Sequence, residues 1–339
     1  MANSVPEHRQ RTCPICGVRK IKSDSGKQCS ECRYHPGWHL PKPETADLPA
    51  PTYYEDAWAE WRRWIGAAHE RYTGPASRPP GSRQKILIAS DPHCPFQDKQ
   101  YVAEMFEDTR DCDLAIFAGD IMDSYGLSRF LKYEQVPIEA EVAEVTTFLE
   151  QASQQYPRVI LLEGNHGQAR LEKQLLALDR QLLNAIRILS GGNLSLLQAA
   201  ASRFENVEIA STQVGRHRMD WLVQIGDLVV CHAEKFSIVP GSAMRKVEEW
   251  LADQERALNL APWRVVAQAH THQLGLFPWH ADKLLIETGC LCTVHGYQLT
   301  ARIGGRPQRR GWWTLEQVDG WTDYDSIRMR WPDARREAA

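Results

Sequence analysis

Ile86-Leu87-Ile88-Ala89-Ser90-Asp91-Pro92-His93 (residues 86–93) is the stretch on which the reading of this chain turns. Its first four residues are apolar without alternation. A continuous apolar run closed by a breaker reads as a strand buried on both faces, as in a parallel sheet. Pro92 has no N–H to give to a ladder, so Asp91 and His93 fall on the loop beyond the strand's end. In open α/β sheets that is where sites assemble. One carboxylate and one imidazole together suit a borderline-hard cation. In isolation, Asp-x-His is more often a turn cap beside a loop histidine.

Working outward, the same arrangement recurs. Leu114-Ala115-Ile116-Phe117-Ala118 ends in Gly119-Asp120-Ile121-Met122-Asp123. Val159-Ile160-Leu161-Leu162 ends in Glu163-Gly164-Asn165-His166. Leu228-Val229-Val230-Cys231 ends in His232, and Val265-Val266-Ala267 leads to His270-Thr271-His272. Between these runs, residues 98–110 read as helical. So do Ile138, Val142, Val145 and Leu149 at helical spacing, and a long region from Gln168 to Leu189. Leu284-Leu285-Ile286, strands flanking Gly289 and a tail rich in tryptophan and arginine complete the chain. One such ending is chance. Five in order place the ligands on one rim of one sheet.

The chain has 339 residues, enough for one large domain with a small appendage. Its net charge of −3 gives no global field toward nucleic acid or a membrane. With no apolar leader and no run of membrane-spanning length, a soluble, cytoplasmic protein is expected. Nine cysteines, unevenly placed, are not a secreted disulfide framework and point to a reducing compartment.

Four of those cysteines form two knuckles, Cys13-Pro14-Ile15-Cys16 and Cys29-Ser30-Glu31-Cys32. Two Cys-x-x-Cys pairs at this separation can give four thiolates to one tetrahedral structural Zn²⁺. Val18 to Lys22 and the turn at Ser25-Gly26 suit a small hairpin. A segment so short has no core of its own, so the metal would supply its folding free energy. Arg9, Arg11, Arg19, Lys20, Lys22, Lys27, Arg33 and Lys42 outnumber Asp24 and Glu31 there. Such a basic ribbon can dock nucleic acid or an acidic protein, or be a solvated surface. Pro41, Pro43, Pro49 and Pro51 mark a linker. Tyr54, Trp58, Trp61, Ile65 and Ala68 then fall on one face of an amphipathic helix. The expected organisation is a zinc ribbon over 1–40, a proline-rich linker with that helix over 41–83, and a main domain over 84–332.

The ordered series Asp-x-His, Gly-Asp-x-x-Asp, Gly-Asn-His, His and (Gly/Ala)-His-x-His resembles the calcineurin-like metallophosphoesterase superfamily, over residues 84 to 300. Ala269 stands where that family usually has Gly. Ser128-Arg129-Phe130 and Thr288-Gly289-Cys290-Leu291-Cys292 are similar to phage- and prophage-type members. The resemblance implies an α/β fold, a four-layer α/β/β/α sandwich. It implies one divalent ion on Asp91, His93, Asp120 and His272, and a second on Asp120, Asn165, His232 and His270, with Asp120 bridging. Oxygen and imidazole ligands without thiolate suit Mn²⁺, with Fe or Zn²⁺ as alternatives. His166 is then the general acid and Asp123 its orienting carboxylate. Arg129 and Arg170 are candidates for the substrate phosphate. Cys94 has no histidine–acid pair free to activate it, and Cys290 and Cys292 read as core thiols.

Three classes of function follow. The first is a two-metal hydrolase of nucleic acid, a nuclease, phosphodiesterase or end phosphatase, with the ribbon presenting DNA or RNA. The second is a phosphatase for phosphoproteins or small phosphoesters, with the ribbon docking a protein. The third, a non-catalytic scaffold, is disfavoured because no ligand position is empty.

Overall fold

A computed structural model of the chain describes residues 10–12, 20–22, 82–128, 136–167, 170, 171, 173, 174, 195–214, 217–237, 239–280, 282–293 and 308–331. The chain divides into two compact units, Met1–Glu60 and Trp61–Ala339. In the first, β1 (Gln10–Thr12) pairs antiparallel with β2 (Lys20–Lys22), Gln10 opposite Lys22. The hairpin thus begins upstream of the first cysteine knuckle, whereas the sequence placed it between the two. A three-residue strand carries too little pattern to choose its partner. Cys13, Cys16, Cys29 and Cys32, the proline-rich linker, the helix at 54–68, Arg129 and most of the helical region from Gln168 to Leu189 lie outside the described residues.

The second unit opens with β3 (Arg83–Ala89), α1 (Lys99–Asp108), β4 (Leu114–Phe117), α2 (Ile138–Gln155) and β5 (Arg158–Leu161). Then come α3 (Leu196–Ala201), β6 (Val207–Ile209), β7 (Thr212–Val214), β8 (His217–Met219), β9 (Leu222–Ile225) and β10 (Leu228–Cys231). It closes with α4 (Ser242–Leu258), β11 (Val265–Gln268), β12 (Leu274–Trp279), β13 (Lys283–Thr288), β14 (Trp312–Val318) and β15 (Trp321–Arg330). No helix among the described residues is long and apolar enough to cross a membrane.

Two sheets carry the unit. One has the order β15-β14-β3-β4-β5-β6, the other β12-β13-β11-β10-β9, and β7 with β8 makes a separate ribbon. Strands β3 to β6 run parallel, as do β10, β11 and β13, while β14 and β12 join antiparallel.

Alternation along each strand explains the layers. Ile86 and Ile88, Leu114 and Ile116, and Ile160 and Leu162 face inward and meet Leu228, Val230, Val265, Ala267, Leu284 and Ile286 of the other sheet. The intervening Leu87, Ala89, Ala115, Phe117, Val159 and Leu161 face outward under α1, α2 and α3. On the far side Val229, Cys231, Val266 and Leu285 pack under Met244, Val247 and Leu251 of α4. The result is an α/β/β/α sandwich. Each fully buried aliphatic side chain contributes about 1.5–3 kcal/mol.

Local chemistry sets the helix ends. Asp98 caps α1 by accepting from Tyr101 N at 3.1 Å. Asn259 ends α4 in the left-handed conformation, which Asn tolerates better than most residues.

One expectation is corrected here. The five ligand-bearing runs do not share a sheet: β3, β4 and β5 belong to the six-stranded sheet, β10 and β11 to the five-stranded one. A run apolar on both faces says that a strand is covered twice, not which strand it pairs with. The ligands nevertheless share a rim, because the strand ends are stitched across the gap. Ser90 Oγ lies 2.7 Å from Thr288 Oγ1, and Trp313 Nε1 donates to Glu287 O at 3.1 Å.

Candidate metal centre

The loops after β3, β4, β5, β10 and β11 carry the titratable cluster. Asp91, His93, Asp120, His270 and His272 all have positive φ, between 48° and 72°. Left-handed backbone costs an L-residue about 1–2 kcal/mol, and it persists where surroundings over-determine it. Here neighbouring loops hold one another: Asp91 N donates to Gly119 O at 3.1 Å, His93 N to Asp120 O at 2.9 Å and Ala269 N to Cys231 O at 3.0 Å. Two glycines are fixed by close approach. A Cβ on Gly119 would lie 2.2 Å from His232 Nδ1, and one on Gly164 2.0 Å from Asp120 Oδ1. This is why Gly precedes Asp120 and Asn165 in the motifs.

The side chains converge on Asp120. Its Oδ1 accepts the His166 backbone N–H at 2.9 Å, and imidazole nitrogens stand around Oδ2. His232 Nε2 lies 3.3 Å from that oxygen and His93 Nε2 3.8 Å. On one side, His272 Nε2 is 3.1 Å from His93 Nε2 and 3.2 Å from Asp91 Oδ1. On the other, Asn165 Oδ1 is 2.9 Å from His270 Nδ1 and 3.2 Å from His232 Nε2.

The nitrogens turned away from the cluster are occupied: His93 Nδ1 by Asp123 Oδ1 at 2.8 Å, His232 Nδ1 by the Ala118 carbonyl at 2.8 Å. That fixes the Nε2 lone pairs inward, the outer partnership that metal-ligating histidines require. Asp91 Oδ1 is buried and accepts no hydrogen bond. Two facing imidazole nitrogens and an orphaned carboxylate oxygen are a donor set that fits a divalent cation. His93, Asp120 and His166, and likewise Asp120, His232 and His270, bring ligand atoms within 4.8 Å of one another.

The calcineurin-like phosphoesterase family matches this chain over residues 84–299. The chain belongs to that family. Its activity class is therefore hydrolysis of phosphoester bonds. Similar solved structures include vacuolar protein sorting 29 from Cryptosporidium parvum, at 12% identity over 73% of this chain and 97% of that one, with a TM-score of 0.36. A purple acid phosphatase from yellow lupin is 13% identical over 76% of this chain and 55% of that one, TM-score 0.37. A serine/threonine phosphatase from Saccharomyces cerevisiae is 12% identical over 84% and 90%, TM-score 0.35. No curated protein matches.

In this phosphoesterase His166 stands beside the cluster, its Nδ1 2.7 Å from Asp123 Oδ1. Arg170 reaches the same place: Nη1 donates to Asp123 O at 2.7 Å, and Nη2 lies 2.8 Å from His166 Nε2. Of the two arginines singled out by sequence, Arg170 is thus at the centre.

Burial opposes every charge in the cluster, and the sign of each shift tells whether neighbours overcome it. Burial would raise Asp91, yet the His272 charge holds it at about 2. Asp120 is likewise held well below the usual carboxylate range, against burial, by His166 and His232. Against the same penalty, hydrogen bonds from His166 and His93 depress Asp123. Burial would lower His232, but the Asp120 carboxylate lifts it to about 9. His93 is lowered by burial and by the His166 charge.

The cysteines separate. Burial pushes the Cys94 thiol far up, which agrees with its having no nucleophilic role. Cys290 and Cys292 are fully buried, as core thiols are, but Cys292 Sγ lies 3.9 Å from His272 Nδ1. Sequence reasoning passed over that contact, and over Asp123 serving His93 as well as His166. Spacing was the available signal: Cys290 and Cys292 stand two apart, just beyond Gly289.

Proposed function

We propose that this phosphoesterase works with two divalent ions, one on Asp91, His93, Asp120 and His272, the other on Asp120, Asn165, His232 and His270. Asp120 would serve both. The observation that carries the assignment is the inward convergence of Nε2 from His93, His232 and His272 on the oxygens of Asp91 and Asp120. When bound, such a pair activates water and stabilises charge on the phosphoryl oxygens.

His166 would donate a proton from Nε2 to the leaving oxygen once Arg170, which donates to that nitrogen at 2.8 Å here, turns to the substrate phosphate, while Asp123 accepts its Nδ1–H and fixes the ring. Arg170, resting against both, forks onto the substrate phosphate. Nitrogen and oxygen ligands together suit Mn²⁺, with Fe or Zn²⁺ as alternatives. The substrate we propose is nucleic acid. Support comes from the basic excess between Arg9 and Lys42 around Cys13, Cys16, Cys29 and Cys32, read as a structural zinc ribbon over 1–40. The phage-like Ser128-Arg129-Phe130 and Thr288 to Cys292 point the same way. Residues 84–332 form the catalytic domain, and a reducing, cytoplasmic setting suits its buried free thiols.

The test is a panel with added Mn²⁺: p-nitrophenyl phosphate, a bis-aryl phosphodiester, single- and double-stranded DNA, RNA and a phosphopeptide. Metal-dependent turnover with DNA or RNA as the best substrate is expected. Preference for the phosphopeptide would replace nucleic acid by phosphoprotein, and no turnover with any divalent ion would end the hydrolase reading.

A further inference from the structure

The three histidines that turn Nε2 toward the Asp120 cluster do not have the same outer partner. His93 gives its Nδ1 to a carboxylate and His232 to a backbone carbonyl. For His272 the Nδ1 partner is sulfur, Cys292 Sγ at 3.9 Å. The Cys290 thiol faces the same ring. Cys290 and Cys292 flank a bend at Leu291, and Leu291 packs into the outer core.

Cys292 is itself held in place. Gln308 Nε2 donates to Cys292 O at 2.8 Å and reaches its Sγ at 3.5 Å. On the next residue of that segment, Arg309 N donates to His272 O at 2.8 Å, and its carbonyl accepts from Cys290 N at 3.1 Å. The segment around residues 308–309 therefore clamps His272 and the two cysteines into one unit. Cys292 Sγ also lies within 4.8 Å of ligand nitrogens of both His93 and His272.

We propose that Cys292 is a positioning residue of the metal centre. Its sulfur accepts the His272 Nδ1–H, fixes the tautomer and ring angle, and so sets the affinity of the one ion that His272 holds. Sulfur is a weaker acceptor than the carboxylate that serves His93. Of the two histidines on that ion, His272 accordingly has the weaker outer partner. The inference rests on the ligand assignment proposed above.

The experiment compares Cys292→Ala, Cys292→Ser and His272→Ala with the wild type, as full-length protein. Mn²⁺ is titrated in two steps, with bound metal read by elemental analysis, and each variant is loaded with Co²⁺ for proton NMR of the histidine N–H signals shifted by the ion. In Cys292→Ala the step that His272→Ala abolishes should move about 10–100-fold to higher Mn²⁺, the usual loss on deleting an outer partner, with the other step unmoved. One shifted N–H signal should exchange faster with water. Cys292→Ser, whose hydroxyl can accept the same proton, should recover most of both. Should Cys292→Ala fail to fold, Cys292→Val fills the space without an acceptor and carries the same expectation. Unchanged metal binding in the alanine or valine variant, beside loss of one ion in His272→Ala, would overturn the role of Cys292 alone. Retention of both ions by His272→Ala would instead overturn the ligand assignment.

Discussion

His93 and His166 close on a single oxygen. Asp123 Oδ1 is 2.8 Å from Nδ1 of His93 and 2.7 Å from Nδ1 of His166, and the two rings meet edge to face with centroids 4.5 Å apart. One carboxylate thus orients a proposed ligand and the proposed acid together. Asp123→Asn should damage both: turnover falling about 10²–10⁴-fold as the acid loses its partner, and the Mn²⁺ needed for half-activation rising about 10–100-fold. A metal titration of activity reads the second effect apart from the first. Lost turnover with an unmoved titration would mean that Asp123 serves His166 alone.

His166→Ala should show the first effect without the second. Both ions stay, because Asn165 and not His166 fills the ligand position, while rate falls about 10²–10⁴-fold. The deficit should shrink across a series of aryl phosphoesters as the leaving group improves, since a good leaving group needs no proton. An equal deficit for every leaving group, or lost metal, would remove His166 from that role.

Asp120→Asn probes the shared oxygen. Oδ1 accepts the His166 amide, and Oδ2 faces an imidazole from each set, His93 and His232. Losing its charge should weaken both ions and nearly abolish turnover. Near-normal rates in a fully metal-loaded variant would place the chemistry elsewhere.

The proton balance gives a pH signature. His232 is raised from 6.5 to about 9 in the folded, metal-free chain, against burial, by Asp120. Its contribution to stability is complete below 6.5 and is lost as pH rises through 9. Asp91, lowered from 3.8 to about 2, contributes above 3.8 and is lost as pH falls through 2. Metal-free protein should therefore melt highest between those windows and lower toward pH 9. Bound Mn²⁺ takes the place of the His232 proton, so its stabilisation should grow from pH 6.5 to 9. Paired melting curves with Mn²⁺ and with chelator test this, and a gap that narrows with pH would contradict it.

The residues that were legible in sequence share a physical trait. Strands β3, β4, β5, β10, β11 and β13 are buried on both faces along their apolar residues, so they appear as unbroken apolar runs, and ligands follow the first five at the breakers. β15, half-exposed, interleaves Trp321, Asp323, Asp325 and Arg328, and reads as a polar tail until β14 pairs with it. Helix α4 carried its stripe at Met244, Val247, Leu251 and Leu258, yet lay between two louder strand signals. The candidate ligands were legible because each needs a particular atom type. The contact of Asp123 with His93, and those of Arg170 and Cys292, were not, since they depend on which loops meet.

Removing residues 1–40 separates the two substrate readings. If the ribbon presents basic residues to nucleic acid, turnover of p-nitrophenyl phosphate should persist while activity on DNA or RNA falls. Binding of the full chain to nucleic acid should also weaken steeply with salt, as neutralised phosphates release counterions. Equal affinity with and without residues 1–40 would assign the ribbon to a protein partner.

The pairing of β14 with β3, Trp313 opposite Ile88 and Val318 opposite Arg83, has a consequence for how the molecule is made. During synthesis β3 emerges early and finds β4 on one flank, but its other flank waits for residues 312–318. Until then a strand apolar from Ile86 to Ala89 offers an open edge, the kind of surface on which chains stick to one another. Such distant pairing is slow, because a long loop must close first. A nascent chain stalled short of Trp312 would hold every proposed ligand of the centre and still be prone to clump.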